Sequence, residues 1–175
     1  MRDCRQSFWQ EDVYRLEPMV DNVRILSQLF DYAGHKIGPC MTAFENKLGG
    51  RVVVSGYYPW RIMHNAAKVG QMKSVVKWLS HDTLTVVIET FAKVITWVRT
   101  NADGDKVVIL LNGSLDPVST LKIKVRSNAS GFRLLTLGEK EEKEVQTEQT
   151  GEADYVRVIL KDVDAWSMHV LRPIT

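Results

Sequence analysis

Glu45-Asn46-Lys47-Leu48-Gly49-Gly50-Arg51-Val52-Val53-Val54-Ser55-Gly56-Tyr57-Tyr58-Pro59-Trp60 is the stretch from which the rest of this chain is read. A Gly-Gly turn feeds a short, wholly apolar, β-branched run. That is the pattern of a strand buried on both faces of an α/β sheet, which needs helices over each face. Residues 65–79 supply one such helix. There Val69, Met72, Val75, Val76 and Leu79 recur at three- and four-residue spacing, Lys68, Lys73 and Lys77 fall outside the stripe, and Asn65 stands where an N-cap belongs. No comparable helix precedes the strand. The pattern predicts the closing half of an α/β domain over residues 1–81: a partial flavodoxin-like sheet with one main helix.

Working back from the turn, residues 42–46 and 23–29 read as strands and residues 13–17 as a short strand closed by Pro18. Gly34, Gly38 and Pro39 make residues 34–39 turn-like. Working forward, the hydrophobic period changes after Ser80-His81-Asp82. Residues 84–89, 93–99, 106–111, 121–126, 132–137, 155–161 and 165–171 are strand-like and separated by turn clusters such as Asn101-Ala102-Asp103-Gly104-Asp105. Leu121, Ile123 and Val125 alternate with Lys122, Lys124 and Arg126, giving one core face and one wet face. Several short strands so spaced predict an immunoglobulin-like antiparallel β-sandwich over residues 82–175. The charge-dense residues 139–152 read as a solvated loop or protruding hairpin, and Trp78, Trp97 and Trp166 as core residues, since each lies in an otherwise apolar segment.

The composition excludes several classes of function. The chain has 175 residues, 45% of them hydrophobic, and a formal net charge of +2 with both signs mixed along its length. It lacks the basic footprint of a nucleic-acid binder, and no run approaches a membrane span. Met1-Arg2-Asp3-Cys4-Arg5-Gln6 is polar and leads into no signal-peptide core, which leaves localisation open. Cys4 and Cys40 show no metal-ligand or redox spacing, so neither metal nor cofactor is expected. Asn112-Gly113-Ser114 and Asn128-Ala129-Ser130 match the glycosylation pattern.

Candidate chemistry is sparse. Gly38-Pro39-Cys40-Met41-Thr42 invites comparison with a nucleophile elbow, but it lacks the second small flanking residue and a following helix, and His35 is a poor partner at five residues' distance. Glu45, Asp82, Glu89, Asp116, Asp162 and Asp164 stand near strand ends, with nothing to fix any two of them across a cleft. Tyr57, Tyr58 and Trp60 follow the apolar strand, where ligand crevices of open α/β sheets form. Their flat faces and polar tips suit a domain interface or stacking on a sugar ring. No residue is assigned a catalytic or metal-binding role.

Ala43-Phe44-Glu45-Asn46 with Leu48 to Tyr57, followed by a helix carrying Gln71-Met72-Lys73, resembles the closing strand-turn-strand-helix of the glutamine-amidotransferase-like domain in large β-galactosidase-type glycoside hydrolases. Thr96-Trp97-Val98-Arg99, Asp103-Gly104-Asp105 and Val108 to Asp116 are similar to the C-terminal β-sandwich of the same enzymes. The resemblance implies a (β/α)8 barrel with paired glutamates upstream of Met1, as the partner against which this chain packs. It carries over no active-site residue. The implied function is a non-catalytic C-terminal region serving domain packing or oligomer assembly, with a carbohydrate-binding β-sandwich module as the alternative. A half α/β domain would also expose a sheet edge, so a two-fold homodimer competes with intramolecular packing.

Overall fold

The computed structural model describes residues 5–9, 12–62, 65–102, 104–152 and 154–174. Cys4 and Asp103 therefore lie outside the described residues. The chain divides into two compact units, residues 1–83 and 84–175.

The first unit is not a flavodoxin-like α/β sheet. Among the described residues it holds three strands, β1 (Arg24–Phe30), β2 (Lys36–Glu45) and β3 (Arg51–Ser55), in the order β1-β2-β3 with both pairings antiparallel. The Asn46–Gly50 turn makes this possible. The Asn46 side-chain oxygen accepts from the Leu48 and Gly50 amides at 2.9 and 2.8 Å, and Gly49 takes φ +83° where a side chain would be strained. A turn this short can return the chain only antiparallel, so β3 is an edge strand rather than a buried parallel one. Its run alternates: Val53 faces the core, while Val52 and Val54 are 52% and 48% exposed. Residues 36–39 extend β2 rather than turn, and the carbonyl of Pro39, which has no N–H, accepts from the Leu16 amide at 2.8 Å.

One helix, α1 (Ala66–Leu79), covers one sheet face, and the Asn65 side chain caps it by accepting from the Ala67 amide at 2.9 Å. Its buried side is rotated from the expected stripe. Val75 and Lys68 are buried, while Val76 and Leu79 are exposed. Lys68 buries its stem and turns its ammonium to the Gln71 side chain at 3.4 Å. Trp78 is not simply core: the guanidinium groups of Arg24 and Arg51 lie 4.7 and 4.9 Å from its ring, and Arg51 also donates to the Trp78 carbonyl.

The second unit is one antiparallel sheet in the order β4-β7-β10-β9-β8-β11-β6-β5. Its strands are β4 (Val86–Ile88), β5 (Val94–Thr100), β6 (Lys106–Asn112), β7 (Val118–Arg126), β8 (Gly131–Thr136), β9 (Lys143–Gln149), β10 (Tyr155–Val163) and β11 (Met168–Ile174). An immunoglobulin-like sandwich needs two separate sheets. Here β9, placed in the charge-dense stretch expected to be a loop or protruding hairpin, pairs with both β10 and β8 and makes the sheet continuous. The sheet folds around Val108, Leu110, Leu121, Ile123, Val125, Phe132, Val156, Val158, Leu160, Val163 and Leu171, and its end strands β4 and β5 nearly meet. The core face of β7 carries Leu121, Ile123 and Val125, as their alternation requires. Trp97 points outward from β5 and Trp166 stands exposed in the β10–β11 turn, so neither is a core residue.

Candidate functional site

The aromatic stretch after β3 is held by a second segment from the start of the chain. Val13 and Tyr57 form an antiparallel bridge, and the Tyr14 amide donates to the Gly56 carbonyl at 2.7 Å. Both bridge residues turn inward: Val13 packs on the core, and Tyr57 is 7% exposed with its ring 5.0 Å from that of Phe8. Opposed residues share a face and neighbours alternate, so Tyr14 and Tyr58 turn to solvent, each 70% exposed. Trp60 follows in a 3₁₀ turn, Pro59–Ile62, at 68% exposure. Arg61 closes the arrangement with an ion pair to Asp12, and its amide donates to the Tyr58 carbonyl at 3.2 Å. Of the three aromatics singled out in sequence, Tyr58 and Trp60 are therefore available to a ligand, and Tyr57 is part of the core beneath them. Tyr14 and the Asp12–Arg61 pair were not singled out, because pairing between segments more than forty residues apart leaves no local signal.

Cys40 and His35 are not partners. His35 is in the β1–β2 turn, its ring 2.9 Å from the Asp31 carboxylate, and five residues of extended chain put Cys40 roughly 16 Å away. Burial raises the Cys40 pKa and the Lys68 charge only partly opposes it, so the group is a thiol at neutral pH. Native Cys40 should react with a thiol reagent far more slowly than the same chain in denaturant. Labelling at the rate of an exposed cysteine would overturn the buried placement.

Ser167 and His169 do meet, with Oγ 2.7 Å from Nε2, yet they form no nucleophile and base. The serine proton goes to the Asp164 carbonyl at 2.6 Å, so Oγ accepts from Nε2–H, and Nδ1 is left to accept from Thr136 Oγ1 at 3.1 Å. A base needs its lone pair on the serine, and here it points the other way. Burial lowers the His169 pKa, partly opposed by the Glu139 and Asp164 charges. The unfolded chain therefore binds the proton first, and stability should fall as pH drops through the ordinary histidine value of about 6.5 toward the lower folded value. Urea titrations between pH 7.5 and 5 check this, and His169→Gln should flatten the slope; equal slopes would refute it.

Three of the acidic residues near strand ends are held in separate ion pairs. Glu45 pairs with Arg51, Asp82 with Lys77, and Glu89 with Arg157 at 2.6 Å and Lys124 at 3.9 Å. The Arg157 hydrogen bond, ahead of burial, holds the Glu89 carboxyl below the usual range, which suits an ion-pair partner and not a general acid. Two open clefts of about 500 and 470 Å³ flank the 127–130 loop, and Asn128 of one glycosylation pattern lies exposed between them, whereas Asn112 of the other is buried. Among the described residues there is no cluster suited to a metal ion and no helix long and apolar enough to cross a membrane.

No protein-family model matches the chain, and no curated protein matches it in sequence. Among solved structures it is similar to α-L-fucosidase isoenzyme 2 from Paenibacillus thiaminolyticus, with a TM-score of 0.49 and 13% identity over 84% of this chain. The match spans 24% of that enzyme's chain.

Proposed function

We propose that this chain is a non-catalytic, β-rich region of a glycoside hydrolase that serves packing against other parts of the enzyme. The observation that carries the packing role is the sheet face opposite α1. Ile25 pairs with Thr42, Thr42 with Val54 and Phe44 with Val52, and Ile25, Val52 and Val54 are all about half exposed. An aliphatic face of this kind on a small antiparallel sheet is what a protein surface covers. The class of enzyme is supported by the sequence resemblance over residues 43–57 and 96–116 to large glycoside hydrolases. The Ser167 and Cys40 geometries support the absence of a catalytic role.

The purified chain should show no turnover of chromogenic galactosides, fucosides or related glycosides. Hydrolysis that persists through further purification and disappears on replacing Glu45 or Glu89 would overturn the reading.

A further inference from the structure

Two of the apolar surfaces that the first unit exposes differ in chemistry. The sheet face of Ile25, Val52 and Val54 is aliphatic. The ribbon formed by residues 12–14 and 56–61 is aromatic, carrying Tyr14, Tyr58 and Trp60 beside an ion pair and no aliphatic side chain of comparable exposure. Several observations make the ribbon a built surface. It is pinned at one end by the Tyr14–Gly56 hydrogen bond and at the other by Arg61 with Asp12, and it is underpinned by Val13 and the Phe8–Tyr57 ring pair. Tyr14 stands opposite Gly56, which has no side chain to crowd it. Tyr14 and Tyr58 are the residues that follow the two partners of the Val13–Tyr57 bridge, so both flank it. Among the described residues, Tyr14, Tyr58 and Trp60 have no ring partner and no cation over their faces, and they are 70%, 70% and 68% exposed.

A pyranose has an apolar face of C–H groups and a rim of hydroxyls. Open aromatic faces meet the first, and a guanidinium and a carboxylate held together at the platform's edge supply donors and acceptors for the second. Asp12 and Arg61 neutralise one another, so the pair itself offers hydrogen-bonding groups without net charge. We propose that Tyr14, Tyr58 and Trp60, with the Asp12–Arg61 pair, form a stacking site for a neutral oligosaccharide. The proposal deepens the accessory reading above and takes from it only the ligand class. It places sugar contact on the first unit and not on the β-sheet of the second, which a sandwich-type binding module would use.

Calorimetric titration of the full chain with cellotetraose, xylotetraose and β-1,4-galactotetraose, followed in parallel by tryptophan fluorescence, tests the site. At least one sugar should bind saturably and change tryptophan emission. Tyr14→Ala, Tyr58→Ala and Trp60→Ala should each weaken that binding about tenfold, the scale on which one lost aromatic contact acts. Tyr58→Phe, which keeps the ring, should retain affinity, as should the V52K/V54K double variant on the aliphatic face. All five positions are exposed, so unchanged thermal melts verify the fold. Absence of saturable binding by every sugar, or binding that the three alanine variants leave intact, would overturn the site. Either result leaves the accessory role standing, whereas glycoside turnover by the chain would overturn that role and not the binding site.

Discussion

Replacing Asn112 by alanine should destabilise the second unit by about 3 kcal/mol, because each buried polar group left unpaired costs about 1–3 kcal/mol. Asn112 ends β6 at 1% exposure. Its amide nitrogen donates to the carbonyls of Asp164 at 2.8 Å, Val163 at 3.3 Å and Asp116 at 3.5 Å, while its oxygen accepts from the Ser114 amide at 3.0 Å. One side chain thus ties the end of β6 to the β10–β11 connection and to the turn before β7. Only this orientation of the amide fits, with its hydrogens toward carbonyls and its oxygen toward an N–H. Asn112→Asp is the sharper test. It keeps the shape, removes the donor and aims a carboxylate at three carbonyl oxygens, so it should lower stability more than alanine does. Urea denaturation of the three proteins decides. Near-wild-type stability of the aspartate variant would mean that the amide does not carry these bonds.

The same physics separates what could be read in the sequence from what could not. Helix α1 was legible because the Asn65 cap and the three- and four-residue spacing are local, and most strands of the second unit were legible because alternation is local too. The face that α1 presents was harder to read. A lysine counts as polar in a pattern, yet Lys68 buries its stem while Val76 stands exposed. The run Val52-Val53-Val54 misled for a related reason: three apolar residues are too few to distinguish a strand covered on both faces from one covered on a single face. Strand β9 escaped notice because its core face offers little beyond Val145 among Lys143, Glu144, Gln146 and Glu148. Its place is set by partners on both sides rather than by its own pattern. At the aromatic ribbon, Tyr58 and Trp60 were visible as a cluster. That Tyr57 is buried and Tyr14 joins the surface follows only from the pairing of Val13 with Tyr57.

Gly56→Ala should be the most damaging small substitution in the first unit, and it joins fold to proposed function. A Cβ at this position would lie 2.1 Å from the Tyr14 carbonyl oxygen and 3.2 Å from that of Cys40. Both are backbone atoms, so no side chain can swing aside to make room. The Gly56 amide donates to the Cys40 carbonyl at 2.7 Å while its own carbonyl accepts from Tyr14, so the residue is clamped between β2 and the 12–14 segment. Of the two contacts, that with β2 is embedded in a sheet and that with the segment is an isolated bridge, so the segment should yield. Its displacement forfeits the Tyr14 hydrogen bond and lifts Val13 from the core. Overpacking of this kind costs about 1–3 kcal/mol, and the lost hydrogen bond adds about 1 kcal/mol. Limited proteolysis should then cut within residues 8–16 faster in the variant, while the second unit keeps its wild-type resistance. Oligosaccharide binding should be lost with it, because Tyr14 is then displaced from the ribbon that carries Tyr58 and Trp60. Equal cleavage rates in the two proteins would show that the segment is not held by this contact.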